Sequence, residues 1–584
     1  MKRKIYKRKE KKTEGKGRIV VITIFVFVYY GIILYRLYYL QVQDSQHLNK
    51  IGDRMIRKTV KVEGERGTIY DRNMNIIAVN MDTPSIYARP SLIKDHDYVS
   101  KRLATILNMD YGYIKKRLRK RDKFVWIARK VDRKKAMEIK KMNIPGIEYT
   151  IESQRFYPKG YLLSNMIGFA GIDNHGLEGV ERKYDKFLRG KKEKITLERD
   201  GKGHTLFPTG LDYLSVPRGN DLILTIDEVI QHIAEKELDM AINSSKAKGG
   251  SVIAMDPDTG EILAMATYPR FNPNMISSYS PDEWRNRAIT DIYEPGSTFK
   301  IIVAAGAIEE NKAFPEDIID REDGTIKIGR KTIRDFSHGK SKERFLTFRE
   351  VIEKSSNVGM IKVGMRLGEE RLLKYIKLFG FGTKTGIDLL GEVKGLVRNI
   401  KEWSGLSLAS LSIGQEIGVT PIQLITAVAT VANEGLLMSP YVISRIMDQD
   451  GKVVKQNHPQ IIRRVISKET SRQLTDILTG VVSDRGTGKN AIIEGYMIAG
   501  KTGTAQKIDP VTKRYSHRKS VCSFIGFFPI DNPKVIILVV IDEPAGYATG
   551  GSVAAPVFRN IAREIIYYWG ITPHTIPSPL VGEG

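Results

Sequence analysis

Residues 19–35 carry no charge, and after Arg36 the apolar pattern resumes over residues 37–42. Together they reach the roughly 20 residues that a helix needs to cross a bilayer. Tyrosines gather toward the end of the run, where phenol rings and the Arg36 guanidinium suit a membrane interface. A cleaved signal peptide would have a shorter apolar region, roughly 7–15 residues, and small residues at its cleavage site. Here Tyr38-Tyr-Leu-Gln-Val-Gln43 follows instead. A buried core helix is the other rival. The pattern predicts an uncleaved transmembrane anchor over residues 19–42.

Beyond the anchor the periodicity shortens and mixes. Arg66-Gly-Thr-Ile-Tyr-Asp-Arg72 followed by Ile76-Ile-Ala-Val79 predicts a turn and a strand. Residues 115–123 and 129–141 repeat Lys and Arg at helical spacing, which predicts solvated helix faces rather than a nucleic-acid surface. Gly176-Leu-Glu-Gly-Val-Glu181, running on to Tyr184 and Leu188, predicts a short helix closed by Gly190. Nothing in residues 45–215 reads as catalytic, and they are expected to form a pedestal or docking domain. A new unit opens near Gly219. Asp221-Leu-Ile-Leu-Thr-Ile-Asp227 predicts a strand, residues 228–242 a helix, and residues 250–255 and 261–266 a hairpin turning at Asp256-Pro-Asp-Thr-Gly260. Residues 420–432 predict a helix with Pro421 in its first turn, and residues 523–528 and 534–541 predict strong strands. The expected fold class is therefore α+β, with an antiparallel sheet in a domain over residues 219–574 and a disordered Pro/Gly/Ser-rich tail over 575–584.

Charge changes the picture at the start of the chain. Lys and Arg number 93 against 67 Asp and Glu, a formal excess of +26 over 584 residues. Residues 1–18 alone hold ten Lys/Arg, against Glu10 and Glu14. A basic arm of this kind would suit nucleic acid, but its place directly before the apolar run predicts a cytoplasmic tail, with everything after about residue 43 outside. The single cysteine, Cys522, excludes an intrachain disulfide and reads as a small buried apolar residue. No His-Glu-x-x-His or Cys/His cluster appears, so neither metal nor cofactor is expected. The nine His show no triad pattern, although a triad can assemble from distant positions.

The candidate chemistry lies in Glu294-Pro-Gly-Ser-Thr-Phe-Lys300. Ser297 and Lys300, three apart, share a helical face, so the Lys300 amine is expected to reach the Ser297 hydroxyl and act as its base. Pro295 and Gly296 stand where a helix would begin, which exposes Ser297 to the positive end of the helix dipole. Lys300 works as a base only if its surroundings lower its pKa. Ser-x-x-Lys also occurs at Ser91–Lys94, Ser245–Lys248, Ser337–Lys340 and Ser516–Lys519, so the motif alone is weak. Ser355-Ser356-Asn357 and Lys501-Thr502-Gly503-Thr504 follow in order and give it weight. Lys384-Thr-Gly386 is a decoy in a glycine-punctuated loop, whereas Lys501 follows an apolar run and is expected on a strand, whose edge can hold a peptide. Gly495-Tyr-Met-Ile-Ala-Gly-Lys501-Thr502 also fits a phosphate-loop pattern, but Lys507-Ile-Asp-Pro510 will not hold the helix that such a loop requires.

With these motifs assembled, the chain resembles a class B penicillin-binding protein, a monofunctional peptidoglycan transpeptidase. The likeness runs almost end to end: the tail and anchor, Arg66–Arg72, Gly176–Glu181, Thr225-Ile-Asp227, the three motifs in order, Ile413-Gly-Gln-Glu-Ile417 and Gly550-Gly-Ser-Val-Ala-Ala-Pro556. Met74 departs from it, since the family usually has Gly there. Arg285-Asn-Arg-Ala-Ile-Thr-Asp-Ile-Tyr-Glu-Pro-Gly-Ser297 is more similar to the septal, FtsI-type branch than to the elongation branch, and no appended C-terminal repeat domain is expected. The resemblance implies a transpeptidase-like domain behind a dimerisation-type pedestal. It also implies acylation of Ser297, proton transfer through Lys300, Ser355 and Asn357, positive charge from Lys501, and substrate binding by Thr502, Gly503 and Thr504. The implied partners are D-Ala-D-Ala stem peptides, β-lactams, and in the membrane a SEDS-family glycan polymerase with other division proteins; nucleic acid is not among them. Elongation- or sporulation-type transpeptidases and a non-catalytic β-lactam sensor or scaffold remain as alternatives. A β-lactamase or D,D-carboxypeptidase would not need the anchor and the long pedestal, and a bifunctional synthase would need an acidic polymerase motif that residues 45–215 lack.

Overall fold

The computed structural model describes residues 14–120, 124–190, 192–199, 205–206, 217–336, 343–509, 512 and 514–573. Most of the basic tail, the Ser337–Lys340 pair and the C-terminal tail lie outside the described residues. The chain divides into two compact units, one of residues 1–64 with 191–217, the other of residues 65–190 with 218–584. Residues 45–215, expected as one domain, are therefore shared between the two.

In the first unit, helix Glu14–Tyr38 runs into a π-helical turn, Tyr39–Gln43, and then helix Ser45–Ile56. The stretch Lys16–Gln43 is long and apolar enough to cross a membrane, with a mean hydropathy of 2.2 and none of that window buried in protein. Strand Arg57–Glu63 then pairs antiparallel with Lys192–Arg199.

The second unit is built around a five-stranded antiparallel sheet. The strands of that sheet and the helices that matter for the site are, in chain order, α1 (Glu228–Ser245), β1 (Gly249–Met255), β2 (Ile262–Tyr268), α2 (Lys300–Glu309), α3 (Asn357–Leu367), α4 (Pro421–Ala432), β3 (Ala499–Ile508), β4 (Tyr515–Phe528), β5 (Val535–Asp542) and α5 (Ala555–Trp569). The strand order is β2-β1-β5-β4-β3, which leaves β3 at an edge. Side chains alternate across a strand, and both faces here are covered. On β5, Val535, Ile537, Val539 and Ile541 pack with α1 and α5, while Ile536, Leu538 and Val540 pack with α2, α3 and α4. Two covered faces are the reason these strands read as unbroken apolar runs. On β3 the same alternation places Ala499, Lys501, Gly503 and Ala505 on one face, and all four are buried.

A second sheet crosses the boundary expected near residue 219. Strand Asp221–Leu224 pairs parallel with Ile69–Tyr70 on one side and antiparallel with Ile443–Met447 on the other. Around it, the two distant motifs Arg66–Arg72 and Gly176–Glu181 meet in a buried ion cluster. The Glu181 carboxylate accepts from Arg66 Nε and Arg155 Nε, both at 2.6 Å, and from the Tyr157 hydroxyl at 3.2 Å. Glu181 is fully buried, and the two guanidinium groups keep its carboxyl below the usual range despite that burial. The short helix expected over residues 176–190 is two short helices, Gly179–Lys183 and Asp185–Leu188, interrupted at Tyr184.

Glu181→Ala leaves two arginines buried without their shared partner and is expected to destabilise the fold by about 3–5 kcal/mol in denaturant unfolding of the solubilised chain. Met74 adopts φ +68°, in the left-handed region, within a turn held by Asp71, whose Oδ1 accepts from the Asn73 and Asn75 N–H groups. Its half-exposed side chain adds little packing, so Met74→Gly is expected to raise stability by about 0.5–1 kcal/mol and the melting temperature with it.

Candidate active site

Three elements of the second unit deliver the site, and each does so for a local reason. Gly296–Phe299 is a 3-10 turn leading into α2, so Ser297 sits just ahead of the helix and Lys300 is its first residue. Gly296 has φ +55°, and a Cβ there would lie 3.0 Å from the Thr504 carbonyl oxygen, so the turn can lie this close to β3 only as glycine. The second motif opens α3. The Ser356 hydroxyl caps that helix, accepting from the Gly359 N–H at 3.0 Å. Ser355, just before it, has φ +57°, a strained conformation for a residue with a side chain. The third motif lies on edge strand β3, as expected, while Lys384 is exposed in its loop. After Lys501 the chain stays extended to Ile508, which removes the phosphate-loop reading.

The side chains converge on one hydroxyl. Lys300 Nζ donates to the Ser355 carbonyl at 2.7 Å and to Asn357 Oδ1 at 2.9 Å, and it lies 3.3 Å from Ser355 Oγ. Lys501 Nζ lies 3.0 Å from the same Oγ. Both amines are completely buried. Burial pulls the Lys300 amine down to about 7, with Asp335 opposing the shift. It pulls Lys501 down as well, and the nearby Lys300 adds to the effect. A neutral amine has two N–H donors, and the Ser355 carbonyl and Asn357 Oδ1 take both. The Lys300 lone pair is then left for a hydroxyl proton.

Lys300, Ser355, Asn357 and Lys501 thus form one hydrogen-bonded set. The direct Ser297–Lys300 bond expected from the spacing is not made. The Lys300 amine is drawn instead toward the Ser355 carbonyl, which the left-handed backbone at Ser355 presents to it, and the half-buried Ser297 hydroxyl has no partner among the described residues. Thr502 Oγ1 donates to Thr487 Oγ1 at 2.9 Å, and Thr504 Oγ1 accepts from the Gly550 N–H at 3.0 Å. That last contact accounts for the glycine-rich segment at 550, since a Cβ on Gly550 would lie 2.4 Å from the Gly503 carbonyl oxygen. Gly503 itself backs onto the Ser297 turn, and a Cβ there would lie 2.9 Å from Thr298 Cγ2. Of the decoys, Ser516 and Lys519 lie on β4, where residues three apart face opposite ways.

Sequence reasoning missed the residue that holds the second motif in place. Asp335 Oδ1 accepts from the Asn357 and Val358 N–H groups at 2.6 and 2.9 Å, and Oδ2 from the Ser356 hydroxyl and Arg321 Nη1, both at 2.8 Å. It stands 20 residues upstream of the start of that motif in no recognisable pattern. Only a lone buried carboxylate would have marked it, and burial cannot be read from Arg334-Asp-Phe336.

The family model for the penicillin binding protein transpeptidase domain matches residues 250–563, and that for the penicillin-binding protein dimerisation domain matches residues 61–224. The chain is 38% identical over 564 residues to the stage V sporulation protein D of Bacillus subtilis, covering 96% of this chain and 86% of that protein. It is 33% identical over 556 residues to the peptidoglycan D,D-transpeptidase FtsI of Escherichia coli, covering 94% and 91%. Among solved structures, penicillin-binding protein 3 of Mycobacterium tuberculosis in complex with aztreonam superposes with a TM-score of 0.69 at 28% identity, covering 88% of this chain and 98% of that one. With both domain models matched and relatives aligned along nearly its whole length, the chain belongs to the class B penicillin-binding proteins.

Proposed function

We propose that the chain is a serine D,D-transpeptidase that cross-links peptidoglycan stem peptides through an acyl-enzyme on Ser297 and is inhibited by β-lactams. One observation carries the reading: a fully buried Lys300 whose two N–H groups are committed, with a lone pair left beside Ser355. In the reaction, Ser297 Oγ attacks the carbonyl between the two D-alanines as Lys300 takes its proton. Backbone N–H groups of Ser297 and Thr504 hold the oxyanion. The proton passes through Ser355 to the departing D-alanine amine as the C–N bond breaks. An amine of a neighbouring stem then displaces Ser297. Lys501, Thr502, Gly503 and Thr504 hold the substrate carboxylate, and that negative charge favours a protonated Lys501, which in turn keeps its neighbour Lys300 neutral.

The anchor holds the catalytic domain outside the cytoplasmic membrane, with the basic tail inside. Residues 45–215 serve as the pedestal for a transpeptidase domain over 219–574. By the wording around Ser297 the process is septal wall synthesis, alongside a SEDS-family glycan polymerase and other division proteins. A sporulation role is the second reading, favoured by the 38% identity to the stage V protein.

Fluorescent penicillin should form a stable adduct with the solubilised wild type and none with Ser297→Ala, while Ser91→Ala labels normally. Adduct on Ser297→Ala would refute the nucleophile assignment. Acylation needs the neutral form of Lys300, held near 7, so its rate should rise roughly tenfold per pH unit below about pH 7 and level off above it. A rate that is flat from about pH 5 to pH 9 would exclude Lys300 as the base.

A further inference from the structure

Three helices of the second unit, His96–Leu107, Tyr111–Leu118 and Arg133–Lys141, pack around a small core of their own. Val99, Leu103 and Leu107 enter it from the first helix, Ile114 and Leu118 from the second, and Ile139 from the third. What these helices leave outside is cationic. Residues 90–146 hold 17 Lys/Arg against six Asp/Glu, an excess of 11. Three of those carboxylates serve the backbone instead of the cations. Asp95, Asp110 and Asp132 each cap a helix, accepting from the N–H groups of Tyr98 at 2.9 Å, Tyr113 at 2.6 Å and Lys134 at 2.8 Å. Asp97 is taken by Lys115 at 2.8 Å. Arg102, Lys116, Lys120, Lys134, Lys140 and Lys141 are exposed, and none of them pairs with a carboxylate among the described residues. Helix stability does not account for this pattern. Arg133 and Lys134 open their helix, the end at which the macrodipole disfavours a cation.

We propose that this three-helix lobe binds a linear phosphodiester polymer of the cell wall. Its cations are spread over three separate helices, which suits a flexible chain carrying a charge at every repeat. Such a chain sheds counterions as each of its charges meets a lysine or arginine, and that release drives the binding. Phosphodiesters stay ionised through the range in which carboxylates titrate, and both Lys and Arg bond them. A folded partner fits less well, because protein interfaces are depleted of Lys and centre on buried apolar side chains. A bilayer fits less well too, because a helix that lies in one keeps an apolar face for it, and here those faces are turned into the lobe's own core. The choice of polymer rests on the reading that puts everything after the anchor outside the membrane, where a phosphodiester chain is a wall polymer and not a nucleic acid.

The test titrates fluorescently labelled poly(glycerol phosphate) into the full-length solubilised protein and follows its anisotropy. The variant combines Lys116→Gln, Lys120→Gln, Lys134→Gln and Lys141→Gln. It keeps the basic tail and every residue around Ser297, so a penicillin adduct at the wild-type level checks that it is folded. At about 0.1 M salt the variant should bind at least tenfold more weakly. The slope of log Kobs against log salt should fall by about three, at roughly 0.7 for each lost contact. Equal binding by the two proteins overturns the inference and leaves the basic tail as the source. Polyglutamate bound as tightly as poly(glycerol phosphate) overturns it in favour of an acidic protein. Anionic vesicles bound in preference to the polymer, with that preference lost in the variant, overturn it in favour of a bilayer. Protection of the lobe from protease added to intact protoplasts overturns the wall assignment through the anchor reading, which separates that failure from a failure of the lobe to bind.

Discussion

Two lysine amines share one serine hydroxyl at the bottom of this site, and much of the surrounding structure serves to make that arrangement tolerable. A buried ammonium is costly, and two that close cannot both keep a proton. The fold meets the cost with neutral acceptors, the Ser355 carbonyl and Asn357 Oδ1, rather than with a carboxylate in direct contact. The nearby carboxylate of Asp335 is kept off the amines, held by Arg321 and by the start of α3. A carboxylate bonded to Lys300 would hold it protonated, with no lone pair to take a proton. With Asp335 one step away, the second motif is fixed while burial still lowers both amines.

The three motifs come from elements far apart in the chain, and the sheet is what brings them together. Lys501 is buried because it shares a strand face with Ala499 and Ala505. Lys300 is buried because α2 lies against the inner face of the same sheet. Glycines at 296, 503 and 550 allow turn, strand and loop to stack at backbone contact. Side chains at any of these positions would push the Ser297 turn, β3 and the 550 loop apart.

The candidate side chains at Ser297 and Lys501 could be placed from the sequence because each sits in a short local pattern, a turn into a helix at Ser297 and an apolar run into a strand at Lys501. The strands of the central sheet were legible for a related reason, since both faces are covered and the apolar runs are unbroken. Asp335 was hidden because its role comes from a contact across 22 residues, from Asn357 back to a position with no motif of its own. The Ser297–Lys300 contact was misjudged because helical spacing says which residues share a face, not which acceptor a flexible amine will prefer. The domain division followed composition and loops, and neither reports that Asp221–Leu224 is paired on both sides.

That shared sheet limits how the protein can be taken apart. A protease or a gene truncation acting near residue 219 would strip Ile69–Tyr70 from Asp221–Leu224 and turn an interior strand into an open border with unpaired backbone groups. Such borders recruit other chains, so the shortened product would tend toward insoluble oligomers even with every catalytic residue present. Residues 65–190 thus complete a sheet of the enzymatic half, and a natural or engineered shortening would be better tolerated on the anchor side of Glu65, where the compact unit begins.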